Sequence, residues 1–305
     1  MLKRVLITGA NAGLGKETAR QLAQQPEIEK IYLGCRNLEK AEAAKTELER
    51  LTGKAIFEIL QIDVSDLGSV RSAVSSLQEP VDGLLMNAGG TGGKNFSEKN
   101  TDGVTEIVAV NLLGHAVLTK ELLKANKLTT VAVYAGSEAA RGVKEMGMKR
   151  PEFKTSSVEE FAAVCEGRLY GHSKDPTVPY GPIKFLGAMW MSSMARQHPG
   201  IRFVTMSPGA TTGTEGFNTL SPVKRIAMKS MMRLMLMLGK VHRLEVGAKR
   251  FVDSLINESY ESGGFYASRS GLTGALSEQS HLYSTLANKQ FQDNAHKAIQ
   301  RFIGH

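Results

Sequence analysis

The segment 170–184 reads YGHSKDPTVPYGPIK and contains Tyr-x-x-x-Lys twice, as Tyr170/Lys174 and Tyr180/Lys184. On a helix, that spacing stacks a phenol and an ammonium one turn apart on the same face. Free tyrosine titrates near ~10, and a neighbouring ammonium favours the phenolate and draws that value down. Such a pair can give a proton to a carbonyl oxygen or take one from an alcohol. Two copies this close cannot both serve one site, and a working pair needs a rigid helix. Pro176 and Pro179 follow Lys174, and Asp175 precedes a proline, so Tyr170/Lys174 is expected in a loop. After Lys184 the run FLGAMWMSSMARQH meets no breaker until Pro199. Tyr180/Lys184 is therefore the expected working pair. Pro182 is expected in the first turn of its helix, where a missing N–H costs little.

A second chemical signal lies at TGANAGLGKETA, directly after the apolar run RVLIT. Gly9 permits a tight turn, Gly13 lets the backbone approach a pyrophosphate, and Gly15 allows close packing of helix on strand. The helix that starts there offers free N–H groups and the positive end of its dipole. The whole loop (Thr8, Gly9, Asn11, Gly13, Leu14 and Gly15) is the expected phosphate cradle. The next strand ends in LGCRN, with Cys35 where an NAD site needs an acid for the ribose hydroxyl, followed by Arg36. A guanidinium grips a 2′-phosphate bidentately, which favours NADP(H), and Lys16 adds charge nearby.

These groups need elements to hold them. Strand-like runs occur at 4–8, 30–35, 55–60, 83–87, 130–135 and 201–206, with GFYAS (264–268) as a last candidate. Amphipathic stretches at 14–24, 39–51, 66–77, 101–124 and 183–197 lie between them. Apolar strands joined by helices predict an α/β fold: a doubly wound, Rossmann-like parallel sheet of about seven strands with helices on both faces. No internal repeat or low-complexity linker divides the chain, so residues 1–305 are expected to form one domain. Residues 139–179 lack a clean period and suggest a functional loop or flap. The tail after Pro208 reads as mostly helical, with 215–245 expected as a lid near the pocket.

The glycine spacing Gly-x-x-x-Gly-x-Gly, in the form TGxxxGxG, resembles the short-chain dehydrogenase/reductase family, and the resemblance runs over nearly the whole chain. It implies further site residues. Asp63 and Val64 after the third strand would meet the adenine, although Asp63 could equally cap the helix that starts near Asp66. Asn87, Ala88 and Gly89 after the fourth strand match the family's NAG segment at the ribose. Pro208, Gly209 and Thr211 follow the sixth strand. Pro208 lies 24 residues after Lys184 and 34 after Lys174, and the shorter separation fits the family. The family's catalytic serine falls on Ser137, in VYAGSEAA, with Gly136 where a first serine usually stands. Its asparagine falls on Asn111, in VNLLGHAVLT. Tyr180 would then be the general acid/base and Ser137 would hold the reacting oxygen. Lys184 would hold the nicotinamide ribose, and Asn111 would anchor a water leading from Lys184 to solvent.

LGCRN, VNLLGH, the long insert and the order of tail features (SPGATTGTEGF, a basic stretch, LEVGAKRFVD, SGGFYAS) resemble the retinol-dehydrogenase and light-dependent protochlorophyllide-reductase branch. A bulky apolar alcohol or carbonyl is the substrate this implies. The photochemical reductase is an alternative, set back by the absence of a cysteine after Lys184. A non-catalytic NADP(H)-sensing protein is an alternative of another class.

Composition bounds the rest. The hydrophobic share of 42% and charged share of 22% suit a soluble globular chain. Two cysteines are too few for a disulfide framework or a metal cage. No metal is expected, and a cytoplasmic setting is. The net charge is +8, and 221–243 carries six Lys/Arg and no Asp/Glu. Met228, Met231, Met232 and Met235 recur there at helical spacing, with Arg225, Lys229 and Arg233 on another face. Core packing, a lid and a peripheral membrane contact all suit that pattern. No nucleic-acid motif accompanies the charge, and a homo-oligomer is left open.

Overall fold

The computed structural model describes residues 1–93, 95–143, 147–170, 173–212 and 235–303. Most of the expected 215–245 lid, including Arg225, Met228, Lys229, Met231, Met232 and Arg233, lies outside the described residues. An eight-stranded sheet forms the centre: β1 (Arg4–Thr8), β2 (Lys30–Cys35), β3 (Phe57–Gln61), β4 (Val81–Met86), β5 (Leu128–Ala135), β6 (Arg202–Met206), β7 (Phe265–Ser268) and β8 (Leu276–Glu278). Their order is β3-β2-β1-β4-β5-β6-β7-β8. The pairs from β3 through to β7 are parallel, and β8 closes the edge antiparallel to β7. The about seven strands expected on pattern grounds become eight. Leu276–Glu278 is too short and too polar to show a period.

Parallel strands are buried on both faces, which explains their unbroken apolar runs. On one face α1 (Gly13–Leu22) and α2 (Leu38–Thr52) pack with α8 (Leu244–Ile256), burying Leu22, Leu48 and Phe251. On the other, α3 (Leu67–Ser76), α5 (Gly114–Lys124) and α7 (Thr177–Gln197) bury Val70, Leu118 and Trp190. Each such large side chain contributes about 1.5–3 kcal/mol by leaving water. The helix α7 is apolar almost all round because it is covered twice. The sheet lies on one side, and α10 (Lys289–Gln300) packs along the other with α6 (Val158–Cys165). A four-residue helix, α9 (Ser284–Ala287), leads into α10.

Three expectations need correction. The insert 139–179 is not structureless. A 3₁₀ turn (Glu138–Arg141) opens it, and α6 follows with Ser157 as N-cap. Glu160 anchors the entry to α6 by accepting from the amides of Lys154, Thr155 and Ser156, each at 2.8 Å. The helix α7 starts at Thr177, ahead of Pro179, not after it. Pro179 stands in the first turn, where an amide has no intrahelical acceptor to lose. Pro182 is not in that first turn but inside the helix. It is tolerated because Gly181 precedes it without a Cβ to clash. The carbonyl one turn earlier belongs to Val178, which is 43% exposed and open to water.

The long helix before β5 contains a break in its regularity. α4 (Glu106–Val108) runs through a π-helical turn (Ala109–Leu113) into α5. Gly114 sits at the end of that turn, so close to the β3 side that a Cβ there would fall 1.7 Å from the Val64 carbonyl oxygen. Among the described residues no helix is long and apolar enough to cross a membrane. Gly114→Ala is expected to lower the unfolding free energy by about 3 kcal/mol, since backbone must move to admit the methyl. Urea denaturation of the two proteins measures this.

Candidate functional site

The strand order reverses at β1, whose neighbours are β2 and β4. The crevice above that point, at the carboxyl ends of the strands, is where open α/β sheets take ligands. Gly9 and Gly13 both have positive φ, 66° and 55°, so the loop over β1 needs residues without a Cβ. A Cβ on Gly15 would lie 2.4 Å from the Gly9 carbonyl oxygen and 2.6 Å from Asn87 Nδ2. The helix α1 is thus pressed onto the strand end. Its N-cap, Ala12, supplies no side-chain bond, and its first turn holds no acid. Asn11 and Leu14 flank this open N-terminus, half-buried.

The floor of the crevice is tied together by side chains. Thr8 Oγ1 accepts from the amides of Asn87 and Ala88, both at 2.9 Å, and Asn87 Nδ2 donates to Thr8 O at 2.9 Å. The Thr8 side chain is fully buried. It acts on the crevice by holding Asn87, Ala88 and Gly89 in place.

At the end of β2 the Cys35 thiol is buried and pushed up to about 11 by that burial, against hydrogen bonds from the Ala10 and Asn11 amides. It therefore stays a neutral thiol and offers no carboxylate. Arg36 beside it is exposed. Lys16 spends its charge on Glu47 of α2. Asp63 accepts from the Ser65 amide at 3.0 Å and hydroxyl at 2.6 Å. The cap of α3 is Asp66, which accepts from Gly68 N and Ser69 N. The capping alternative for Asp63 is thereby removed. Val64 is buried, its carbonyl facing Gly114.

At the other end of the crevice the structure brings Ser137, Tyr180, Lys184 and Asn111 into one neighbourhood. Lys184 is only 3% exposed. Its Nζ donates to the Ala135 carbonyl at 2.9 Å and lies 4.8 Å from the Tyr134 ring centre and 5.5 Å from that of Tyr180. Burial lowers its titration to about 7. Burial raises the half-buried Tyr180 phenol to about 12, opposed by a hydrogen bond from Ser137 and assisted by the charge of Glu138. The neighbouring ammonium was expected to draw the phenol down; burial raises it instead. Ser137 also caps the 3₁₀ turn, its oxygen accepting from Ala139 N at 3.1 Å. Capping uses its lone pair, so its proton is the one that serves Tyr180. At Gly136 a side chain would run into Thr205 and Phe265, which accounts for the missing first serine.

Asn111 sits in the π-helical turn. Its Nδ2 donates to Gly90 O at 2.7 Å and Ile107 O at 2.8 Å, and its Oδ1 accepts from Gly90 N at 3.1 Å. Its main-chain carbonyl accepts from the Tyr134 hydroxyl at 2.8 Å and faces His115 Nδ1 at 3.4 Å. The Tyr134 hydroxyl is a partner of that carbonyl which the sequence did not suggest. His115 Nε2 lies 3.0 Å from Thr8 Oγ1. With a carbonyl facing Nδ1, the proton belongs there, and the ring accepts from Thr8. Burial holds His115 neutral, at about 3.

Tyr134 and His115 escaped the sequence reading because neither forms a motif. Only a tyrosine inside a strand, near a glycine-bearing helix, hinted at them. The ring of Tyr134 fits because Gly187 of α7 has no Cβ; one would lie 2.4 Å from it. Tyr170 packs on the core outside any described helix, and Lys174 is exposed. Pro208 and Gly209 follow β6, and Thr211 pairs with His242 as an isolated bridge. No cluster of metal-binding side chains occurs among the described residues.

Comparisons with known proteins bear on the family and the fold. Residues 3–146 match the family model described as short chain dehydrogenase. Retinol dehydrogenase 11 of Mus musculus is 37% identical over 124 residues, which is 40% of this chain and 38% of that protein. Retinol dehydrogenase 12 of Mus musculus is 33% identical over 183 residues, 56% of this chain and 52% of that protein. The matched stretch thus spans about half or less of these relatives' length. Among solved structures, L-sorbose reductase of Gluconobacter frateurii, complexed with NADPH and L-sorbose, superposes with a TM-score of 0.64 at 17% identity, covering 90% of this chain and 97% of that one. NADPH-bound carbonyl reductase from chicken fatty liver gives 0.58 at 18% identity, covering 90% and 99%. At these identities the structural likeness establishes the fold.

The buried ammonium has a cost that depends on pH. In the unfolded chain Lys184 titrates at its ordinary 10.5, and in the folded one at about 7. Between these values the unfolded state binds more protons, so this group makes stability rise with pH, and its full penalty is present below pH 7. Lys184→Met is expected to be more stable than the parent at pH 6 by a few kcal/mol, with the advantage fading toward pH 10. Urea titrations across that range measure it.

Proposed function

We propose that this chain is a member of the short-chain dehydrogenase/reductase family and an NADP(H)-dependent oxidoreductase acting on a carbonyl or alcohol of a bulky hydrophobic substrate. The observation that carries the reading is the convergence of Tyr180, Ser137 and Lys184 beside β5, at the same sheet edge as the glycine loop. The cradle suits a dinucleotide: α1 is pressed onto Gly9 and presents an N-terminus without a side-chain cap. A neutral Cys35 beside an exposed Arg36 suits a 2′-phosphate better than a free ribose hydroxyl. Gly9, Asn11, Gly13, Leu14 and Gly15 would hold the pyrophosphate. Arg36 would hold the 2′-phosphate. Asp63, Val64, Asn87, Ala88 and Gly89 would line the adenosine side, and Pro208, Gly209 and Thr211 the nicotinamide side. A bound nicotinamide supplies or accepts the hydride.

The side chains handle the proton and the oxygen. Tyr180 gives its phenolic proton to the carbonyl oxygen in reduction, or as phenolate takes one from the alcohol in oxidation. Its high titration in the protein alone keeps it protonated, ready for reduction. Ser137 would turn its O–H from Tyr180 to the substrate oxygen where charge develops. Lys184 sits within reach of Tyr180 and would hold ribose hydroxyls. Asn111 positions the 89–90 backbone through its paired bonds with Gly90. Retinol dehydrogenases among the relatives favour an apolar alcohol as the substrate class.

A screen of hydrophobic aldehydes, ketones and alcohols with NADP(H), run in light and dark, tests the reading. Tight NADPH binding without turnover of any substrate would instead favour a sensor. Tyr180→Phe is expected to cut turnover by at least ~10²-fold, whereas Tyr170→Phe keeps it within about twofold, since Tyr170 only packs on the core. Equal losses from both would sink the assignment. Arg36→Glu is expected to weaken NADPH binding by roughly two orders of magnitude and leave NADH binding nearly unchanged. Dissociation constants from fluorescence titration check this.

A further inference from the structure

The carboxyl ends of β5, β6 and β7 meet at a buried ion pair that the acid–base chemistry does not use. Glu138, next to Ser137, is 4% exposed, and Arg250 on α8 is 8% exposed. Arg250 Nη1 lies 3.7 Å from Glu138 Oε1. The carboxylate accepts from Ser268 N at 3.2 Å, from Ser268 Oγ at 3.1 Å and from the Ser207 hydroxyl. The guanidinium donates to Ser207 O at 3.3 Å, Ser268 Oγ at 3.2 Å and Gly274 O at 3.1 Å. Its Nη2 also lies 3.0 Å from His242 Nε2. A guanidinium can only donate, so His242 accepts there and is neutral. Burial and the charge of Arg250 both hold it so.

His242 carries the connection onward. Its amide donates to Ala210 O at 2.7 Å, and its carbonyl accepts from Thr212 N at 2.9 Å. One guanidinium therefore links the Ser137 turn, the ends of β6 and β7, the loop at Gly274 and the 210–212 segment. Burying an ion pair costs desolvation that well-packed apolar side chains would avoid, so such a pair is weak as a stabiliser. What it supplies is fixed geometry, because Arg presents its donors in a rigid planar fork.

We propose that Glu138 and Arg250 are positioning residues: their ion pair sets the separation between the Ser137 turn and the 208–212 segment, and hence between the oxygen-holding hydroxyl and the nicotinamide half of the site. This rests on the function proposed above. It has a second consequence, since Tyr180 is faced by Ser137, Tyr134, Lys184 and Glu138, and the Glu138 charge favours the neutral phenol.

The test uses Glu138→Gln, Arg250→Met and the double variant of the full chain. Amide hydrogen exchange without cofactor reads the clamp directly. Exchange at Thr212 and His242 is expected to quicken about tenfold in Glu138→Gln while core strand amides keep their protection. The NADPH dissociation constant is expected to rise roughly tenfold. The pH of half-maximal alcohol oxidation is expected to fall by about one unit, because a negative charge beside Tyr180 is gone. If Arg250→Met does not fold, the double variant, which leaves no buried charge unpaired, serves in its place. It should regain thermal stability without regaining NADPH affinity. A double variant with parental exchange, NADPH affinity and pH profile would overturn the proposal and leave the pair a packing feature. Should the parent protein itself bind no NADP(H), the functional reading fails. The exchange rates at Thr212 and His242 then still decide whether the pair clamps the segment.

Discussion

The site depends on keeping the Lys184 ammonium out of water with no carboxylate beside it. A fully desolvated charge is costly, and the group answers by titrating near neutrality. What it keeps is one backbone carbonyl, that of Ala135, and the faces of two aromatic rings. Each requires an element to stop or turn at a set place. β5 must end at Ala135 so that its last carbonyl points at α7. The helix α7 must lie close enough for a side chain rooted on it to reach the sheet. Sheet and α10 together must exclude water from α7 along most of its length. The apolar run around Trp190 is the sequence expression of that double cover.

The same edge of the sheet serves the opposite charge. Parallel strands bring all their carboxyl ends to one side, and the reversal of order at β1 opens a crevice there. At that crevice the chain places glycines, an uncapped helix and an exposed arginine, all suited to phosphate. Further along it places a phenol, a hydroxyl and the buried ammonium. An anionic half and a proton-handling half thus lie along one line. The crevice floor is held by Thr8, whose hydroxyl ties β1 to the start of the 87–90 loop. The chemistry-bearing residues rest on that floor without sharing its bonds.

Sequence pattern shows the strands and most helices because burial on both faces writes itself as apolar runs. It also shows the glycine loop, since only glycine adopts the turn at Gly9 and the approach at Gly15. It misplaces the start of α7, because counting prolines as breaks ignores that a first turn has no amide bonds to lose and that Gly181 relieves Pro182. It leaves 139–179 blank, because α6 is short and owes its start to Ser157 and Glu160 rather than to a long period. The Glu138–Arg250 pair and Tyr134 are invisible for a different reason. Their partners are more than twenty residues away, and one-dimensional spacing carries no trace of a contact made only when strand ends converge.

Tyr134 shows how far such contacts reshape a familiar pattern. A strand residue beside the ammonium could have been small and left its surroundings open. Here a phenol donates to the Asn111 carbonyl at 2.8 Å and turns its ring face toward the ammonium. The ring needs space in α7, and Gly187, less than one turn after Lys184, provides it at some cost in helix propensity. Tyr134, Gly187 and Asn111 thus form one unit, and changing any one of them alters the solvation of Lys184. A small residue at 134 would admit water and raise the titration of the ammonium toward its ordinary value. A larger residue at 187 would expel the ring with the same result. The titration of this ammonium near pH 7 is therefore set by residues that carry no charge themselves.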